Sequence, residues 1–232
     1  SGWGGIPEIF DEDNKAWNKE HTELKRLLTE QEFKQIRSTV LTAFYTDPKM
    51  IEKMYQVAMQ FGDFSKGNIL DPAMGTGNFF QALPPSLQTA NLKGIEIDQR
   101  SFQIAKALYP DAEIYGKGFE EVNLTEKMDL IIGNFPFNNI KILDKKYDKY
   151  SFVVHDYFMA KSIDSLEPNG VLMFITSSGT MDKKDTKARE YLAKRANLIG
   201  GIRLPKTAFK QSAGTEVISD ILIFQKKSYV EM

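Results

Sequence analysis

Apolar positions along this chain follow two rhythms that alternate. Short runs at Ile69-Leu70, Ile95–Ile97, Met128–Ile132, Val171–Thr176, Leu198–Leu204 and Val217–Gln225 have the length of strands, and Glu113–Tyr115 adds a shorter one. Between them lie segments with helical spacing. Ile51, Met54, Tyr55, Ala58 and Met59 form a stripe behind Asp47-Pro48, a good helix entry, and further helices are expected near 101–108, 152–166 and 183–195. Strands alternating with helices imply an α/β fold around a mostly parallel sheet. Ahead of the first strand, residues 11–37 are charged and carry Leu24, Leu27, Leu28, Phe33 and Ile36 at helical spacing. They predict a helical layer, preceded by an irregular lead-in from Ser1 to Phe10 in which Trp3 packs on the domain. The expected division is a helical extension over 1–40 and one α/β domain over 41–232.

The first strand runs into Asp71-Pro-Ala-Met-Gly-Thr-Gly-Asn-Phe-Phe80. Strand, two-glycine loop and helix start are the layout of a nucleotide-type cofactor site, although the loop alone equally suits a plain tight turn. Phe80 stands where a dinucleotide fingerprint has its third glycine, which disfavours nicotinamide and flavin cofactors. No Gly-Lys-Ser/Thr follows a glycine-rich loop, which disfavours a P-loop. A carboxylate at the strand end repels pyrophosphate and attracts a cation. S-adenosylmethionine, with its α-amino group and sulfonium, fits that charge. Glu96 lies about 20 residues past the glycines, where an acid at the next strand end grips ribose hydroxyls.

Composition narrows the partners. The chain has 232 residues, enough for one large or two small domains. It contains no cysteine, which excludes disulfides, thiolate metal sites and a thiol nucleophile for attack on a cytosine ring. No apolar run has the length of a membrane span and no signal peptide opens the sequence, so a cytoplasmic location without a membrane partner is expected. The net charge of −1 provides no overall attraction to nucleic acid; any grip must be local. One local candidate is the segment 138–150, where Lys141, Lys145, Lys146 and Lys149 accompany Tyr147 and Tyr150, partly offset by aspartates. No metal site is expected.

The second constellation is Asn134-Phe-Pro-Phe137 at the end of the strand 128–132. The Asn134 side-chain oxygen and the Phe135 carbonyl can both accept hydrogen bonds from an exocyclic amine, while Phe137 stacks on its ring at about 1–3 kcal/mol per base. Four such residues on their own also make an ordinary turn.

Together these motifs make the stretch from Leu41 to Lys226 resemble the catalytic domain of amino-methylating DNA methyltransferases of the N6-adenine class. It is especially similar to modification subunits of type I restriction systems and to helicase-fused methylases of phages and mobile elements. The resemblance implies a Rossmann-like S-adenosylmethionine-dependent methyltransferase fold, with a seven-stranded, mostly parallel sheet and a last antiparallel strand. It implies that Phe44-Tyr45-Thr46 touches the cofactor ahead of the loop and that Asp71, Pro72, Ala73, Gly75, Gly77, Asn78 and Phe79 form the main cofactor motif. Glu96 with Ile97 then holds the ribose side, and Asn134, Phe135, Pro136 and Phe137 correspond to the catalytic Asn-Pro-Pro-Tyr/Phe. Pro168–Ser177, Ile202–Pro205 and Thr215 resemble the later part of the type I subunits. Two departures stand out. Phe135 replaces a proline, with only its carbonyl expected to matter, and Gly118-Phe119-Glu120 replaces an Asp-Phe pair for the cofactor adenine, leaving Phe119 to stack there.

The implied activity is methyl transfer to adenine N6 in a flipped-out base, with the cytosine N4 amine still open. A protein glutamine N-methyltransferase, and a non-catalytic cofactor- or DNA-binding module of a helicase-like protein, are the competing readings. The insertions 138–150 and 205–216 are too short to read a site of several base pairs. Sequence choice is therefore expected from flanking domains or from a separate specificity or helicase partner.

Overall fold

The computed structural model describes residues 7–39, 46–136, 140–209 and 218–229. The expectations placed on Trp3, Tyr45 and Phe137 fall outside the described residues. The chain divides into two compact units: Ser1–Asp47 with Lys206–Val217, and Pro48–Pro205 with Ile218–Met232.

In the first unit the helical stretch is two helices, α1 (Asn18–Leu27) and α2 (Glu30–Thr39). The break is written locally. The Thr29 N–H donates to Glu32 Oε2 at 2.7 Å and the Glu32 N–H to Thr29 Oγ1 at 3.3 Å, a reciprocal capping box. Ile9, Phe10, Phe33 and Ile36 form a small core, and His21 Nδ1 donates to the Ile9 carbonyl at 2.7 Å.

The second unit holds the sheet. Its strands are β1 (Asn68–Asp71), β2 (Asn91–Ile95), β3 (Glu113–Tyr115), β4 (Met128–Asn134), β5 (Leu166–Ser177), β6 (Ala196–Arg203) and β7 (Ser219–Lys226). Its helices are α3 (Pro48–Ala58), α4 (Asn78–Gln81), α5 (Gln99–Leu108), α6 (Val154–Ser165), α7 (Gly179–Asp182) and α8 (Lys187–Ala193). The strand order is β3-β2-β1-β4-β5-β7-β6. All pairs from β3 to β5 are parallel, and β7 lies antiparallel between β5 and β6. The mostly parallel sheet with an antiparallel last strand is thus as expected from the sequence.

Three boundaries differ from the sequence reading. β2 starts at Asn91 and ends at Ile95, whose carbonyl accepts the Met74 N–H of the loop at 3.0 Å, while the Glu96 N–H still donates to the Tyr115 carbonyl of β3. β5 begins at Leu166 and passes through Pro168-Asn169-Gly170. Asn169 takes a φ of 67°, and the register with β4 slips between Met128 and Leu130. Third, the basic segment 183–195 is not one helix, since Lys183–Thr186 separates α7 from α8.

Leu70, Ile131, Leu172, Phe174, Leu222 and Phe224 of the central strands pack with Tyr157, Met159 and Ile163 of α6 in the main core. The strand order reverses between β1 and β4, so their carboxyl ends flank a switch point, where open α/β sheets bind ligands. Among the described residues no helix is long and apolar enough to cross a membrane.

Candidate active site

β1 delivers Asp71 to the switch point with its side chain almost fully enclosed, at 1% exposure. Oδ1 accepts the Ala73 N–H at 3.1 Å, while Oδ2 is buried without a hydrogen-bond partner. Burial pushes the Asp71 carboxyl up to about 8; the Ala73 N–H opposes the rise and the nearby Glu96 charge adds to it. Room for this carboxylate comes from the neighbouring strand. A Cβ on Gly133 of β4 would lie 2.7 Å from Asp71 Oδ1. A glycine inside a buried strand marks such a close approach, and this is the sequence signal that Gly133 carries.

The loop after Asp71 turns on two left-handed residues, Gly75 at φ 56° and Gly77 at φ 94°. A Cβ at Gly77 would also overlap the Tyr109 ring, whose hydroxyl donates to the Gly77 carbonyl at 2.9 Å. Tyr109 packs edge-on against Phe80 at 5.5 Å, so the end of α5 locks the loop. Nothing local in the sequence links position 109 to position 77. Glu96 fastens the loop's other side: Oε2 accepts the Gly75 N–H and Oε1 the Asp98 N–H, both at 2.7 Å. Burial raises the Glu96 carboxyl and these two N–H donors oppose it. Asp98 in turn caps α5 by accepting the Ser101 N–H at 2.8 Å. Ile97, beside Glu96, is 69% exposed, an apolar surface at the rim of the loop.

Asn134 ends β4, half-buried and in register with Ile175 of β5. Asp71, Glu96 and Asn134 therefore stand at the carboxyl ends of β1, β2 and β4, respectively. Asn78, Ala73 and Pro136 are half-buried around them, and Pro72 is buried.

Other expected residues are placed differently. Phe119 is 2% exposed, tilted against Phe158 at 5.2 Å and edge-on to Tyr157 at 6.2 Å. Its ring is core, so stacking on an adenine is corrected: of this segment Gly118 is also buried, the Phe119 carbonyl accepts the Lys161 ammonium at 2.6 Å, and only Glu120 is half-buried. Phe79 is likewise buried, and its carbonyl accepts the Tyr55 hydroxyl at 3.2 Å. Phe135 uses more than its carbonyl. Its N–H donates to the Ile175 carbonyl at 3.1 Å and its ring stacks on Phe174 at 4.7 Å. Thr46 is buried and belongs to the other unit.

Of the four lysines, Lys141, Lys145 and Lys149 are exposed, Lys149 resting over the Tyr150 ring at 5.0 Å. Lys146 is also exposed but pairs with Asp164 at 2.6 Å, where Tyr147 and Tyr191 also donate. The segment is more than a solvated loop. Asp144 receives the Tyr157 hydroxyl at 2.8 Å and Lys161 at 3.5 Å, which ties it to α6.

Comparison with known proteins bears on this arrangement. The chain is 27% identical over 194 residues to the defense against restriction protein B of Escherichia phage P1, covering 80% of this chain and 8% of that protein. The chain spans half or less of the length of the curated relatives it matches. Among solved structures, an assigned class I S-adenosylmethionine-dependent methyltransferase of Listeria monocytogenes superposes with a TM-score of 0.68 at 17% identity, covering 97% of this chain and 80% of that one. A modification subunit of an assigned type I restriction enzyme from Vibrio vulnificus YJ016 gives 0.67 at 20% identity, covering 91% and 50%. These likenesses establish the fold. The segment 97–209, which includes Asn134 and the strands β4 to β6, matches the Eco57I restriction-modification methylase family.

Proposed function

We propose that this chain is the catalytic domain of an S-adenosylmethionine-dependent DNA methyltransferase that methylates the exocyclic N6 amine of an adenine extruded from the duplex. The observation that carries the reading is the gathering of Asp71, Glu96 and Asn134 at the sheet's switch point, at the carboxyl ends of neighbouring strands. The names of the relatives, a restriction-modification methylase family and a type I modification subunit, support DNA as the acceptor.

The residues present fit the cofactor. The buried Asp71 Oδ2 lacks a partner and suits a cationic amine, and the two left-handed glycines keep the chain low beneath a ligand. Glu96 sits where ribose hydroxyls bind, and exposed Ile97 offers an apolar face to an adenine ring. When bound, the cofactor supplies an electrophilic methyl group on sulfur. Asn134 and the Phe135 carbonyl accept the two N–H bonds of the target amine and so orient the nitrogen lone pair toward that methyl. Positioning and electrostatic fit carry the step without a covalent intermediate. Extrusion of the base costs a few kcal/mol, which stacking in the pocket offsets. Lys141, Lys145 and Lys149 contact phosphates, and sequence choice comes from flanking domains or a partner chain, in a cytoplasmic setting.

Asn134→Ala tests the assignment. Transfer of a labelled methyl group to adenine-containing DNA should fall by at least about 100-fold, as for loss of one electrostatic anchor, while calorimetry finds cofactor affinity unchanged. Undiminished turnover would remove Asn134 from the chemistry.

A further inference from the structure

A second cleft opens on the same carboxyl edge, beyond the end of β5 and away from the cofactor loop. It encloses about 300 Å³ and is lined by Tyr150, Phe152, His155, Asp156, Ser177 and Lys183, among others. The methyl-transfer scheme uses none of them. His155 is 8% exposed and Asp156 5%, yet His155 Nδ1 and Asp156 Oδ1 have no hydrogen-bond partner. The other carboxylate oxygen, Oδ2, holds the Lys183 ammonium. Both residues line the cleft, and Asp156 Oδ1 faces His155 Nε2 at 3.7 Å; buried polar atoms without a hydrogen bond in such a wall mark a place where a polar ligand completes them.

The chemistry of the lining narrows that ligand. Lys183 and Lys187 are offset by Asp156 and Asp185, so the cleft has no net charge and a phosphate would meet carboxylates. Burial holds His155 below its ordinary range, against the pull of Asp156, which leaves its ring neutral with one donor and one acceptor nitrogen. Tyr150 and Phe152, stacked at 5.0 Å and 7°, give an aromatic wall. A planar heteroaromatic ring with donors and acceptors along one edge meets all three conditions.

Position separates this ligand from the methylated base. Asn134 is in register with Ile175, and Ser177 lies two residues farther along β5. At ~3.3 Å per residue that is ~6.6 Å, about twice the ~3.4 Å step of stacked bases on one strand. We propose that the cleft takes a second nucleobase, from a nucleotide neighbouring the methylated one, and reads its edge through His155, Asp156 and Lys183. This rests on the methyltransferase reading above and adds a specificity subsite within the catalytic domain itself.

The test is an abasic scan at low ionic strength with S-adenosylhomocysteine present. Short single-stranded oligonucleotides carry one adenine, each flanking position is made abasic in turn, and binding is read by fluorescence anisotropy. One neighbouring position should weaken binding about tenfold, as expected for one well-made base contact. Asp156→Asn and, independently, His155→Gln should abolish that penalty while calorimetric affinity for S-adenosylhomocysteine stays unchanged. If Asp156→Asn does not fold, His155→Gln and the scan of the unmodified chain decide. Equal binding at every abasic neighbour, or a penalty that persists in the folded variants, overturns the subsite. If an abasic target position is also without effect, the methyltransferase reading falls with it; if only the neighbours are silent, the subsite alone falls.

Discussion

Replacing Asp71 by asparagine should stabilise the cofactor-free protein, and increasingly so as pH rises. In the fold the carboxyl is pushed to about 8 by burial, against a reference of 3.8. Between those values the folded chain retains a proton that the unfolded chain has released. Stability from this group is fully present below about pH 4 and declines by about 1.36 kcal/mol per pH unit until the folded carboxyl ionises near pH 8. From pH 5 to pH 8 the unmodified chain therefore loses roughly 4 kcal/mol that Asp71→Asn does not lose. Asparagine keeps the acceptor for the Ala73 N–H, and the raised Glu96 carboxyl acts in the same direction in both proteins, so the difference isolates Asp71. Urea unfolding of the two proteins at each pH from 5 to 8 measures it directly. Stability curves that run parallel across this range would refute the reasoning. The same substitution should weaken S-adenosylmethionine binding, because the negative charge offered to its amine is gone. Binding to the unmodified chain should release a proton near pH 7, seen as a dependence of the calorimetric heat on buffer ionisation enthalpy.

Gly77→Ala should destabilise by at least about 1 kcal/mol from backbone strain alone, and by more from overlap with Tyr109, lowering the thermal midpoint and the cofactor affinity together. Phe135→Pro, which the sequence suggested would be tolerated, should cost roughly 3–5 kcal/mol for the vacated ring site plus the lost bond to Ile175, measured by urea denaturation. Replacing Lys141, Lys145 and Lys149 by alanine should lower the slope of log affinity for DNA against log salt by up to about 3. Lys146→Ala should instead show as lost stability, because it shares Asp164 with two tyrosines.

The parts legible from the sequence were those with a local cause. Asp71 at a strand end, two glycines and a helix start are contiguous, and period and length alone located all seven strands, though not all of their ends. The edges of β2 and β5 depend on remote partners: the Ile95 carbonyl at the end of β2 is taken by the Met74 N–H of the loop after β1. Phe119 and Phe135 show the main ambiguity. An aromatic residue near a ligand motif suits a stacking face and a core equally well, and only burial separates the two. The division between α1 and α2 has a local signature, the capping box Thr29-x-x-Glu32. The cleft at His155 and Asp156 has no sequence signature, since its walls come from three stretches of chain, 150–156, 177–179 and 183–188, that meet only in the fold.

The contact between Gly133 and Asp71 makes two positions 62 apart in sequence a single heritable choice. Any larger residue at 133 evicts the carboxylate, and a chain that has lost the acid no longer requires the glycine. In a library randomised at both positions, side chains at 133 should survive only beside a small residue at 71, and those survivors should be folded but unable to hold the cofactor. Descent through such intermediates is closed to a working enzyme, so the pair should persist together in active lineages and decay together in those that have given up catalysis.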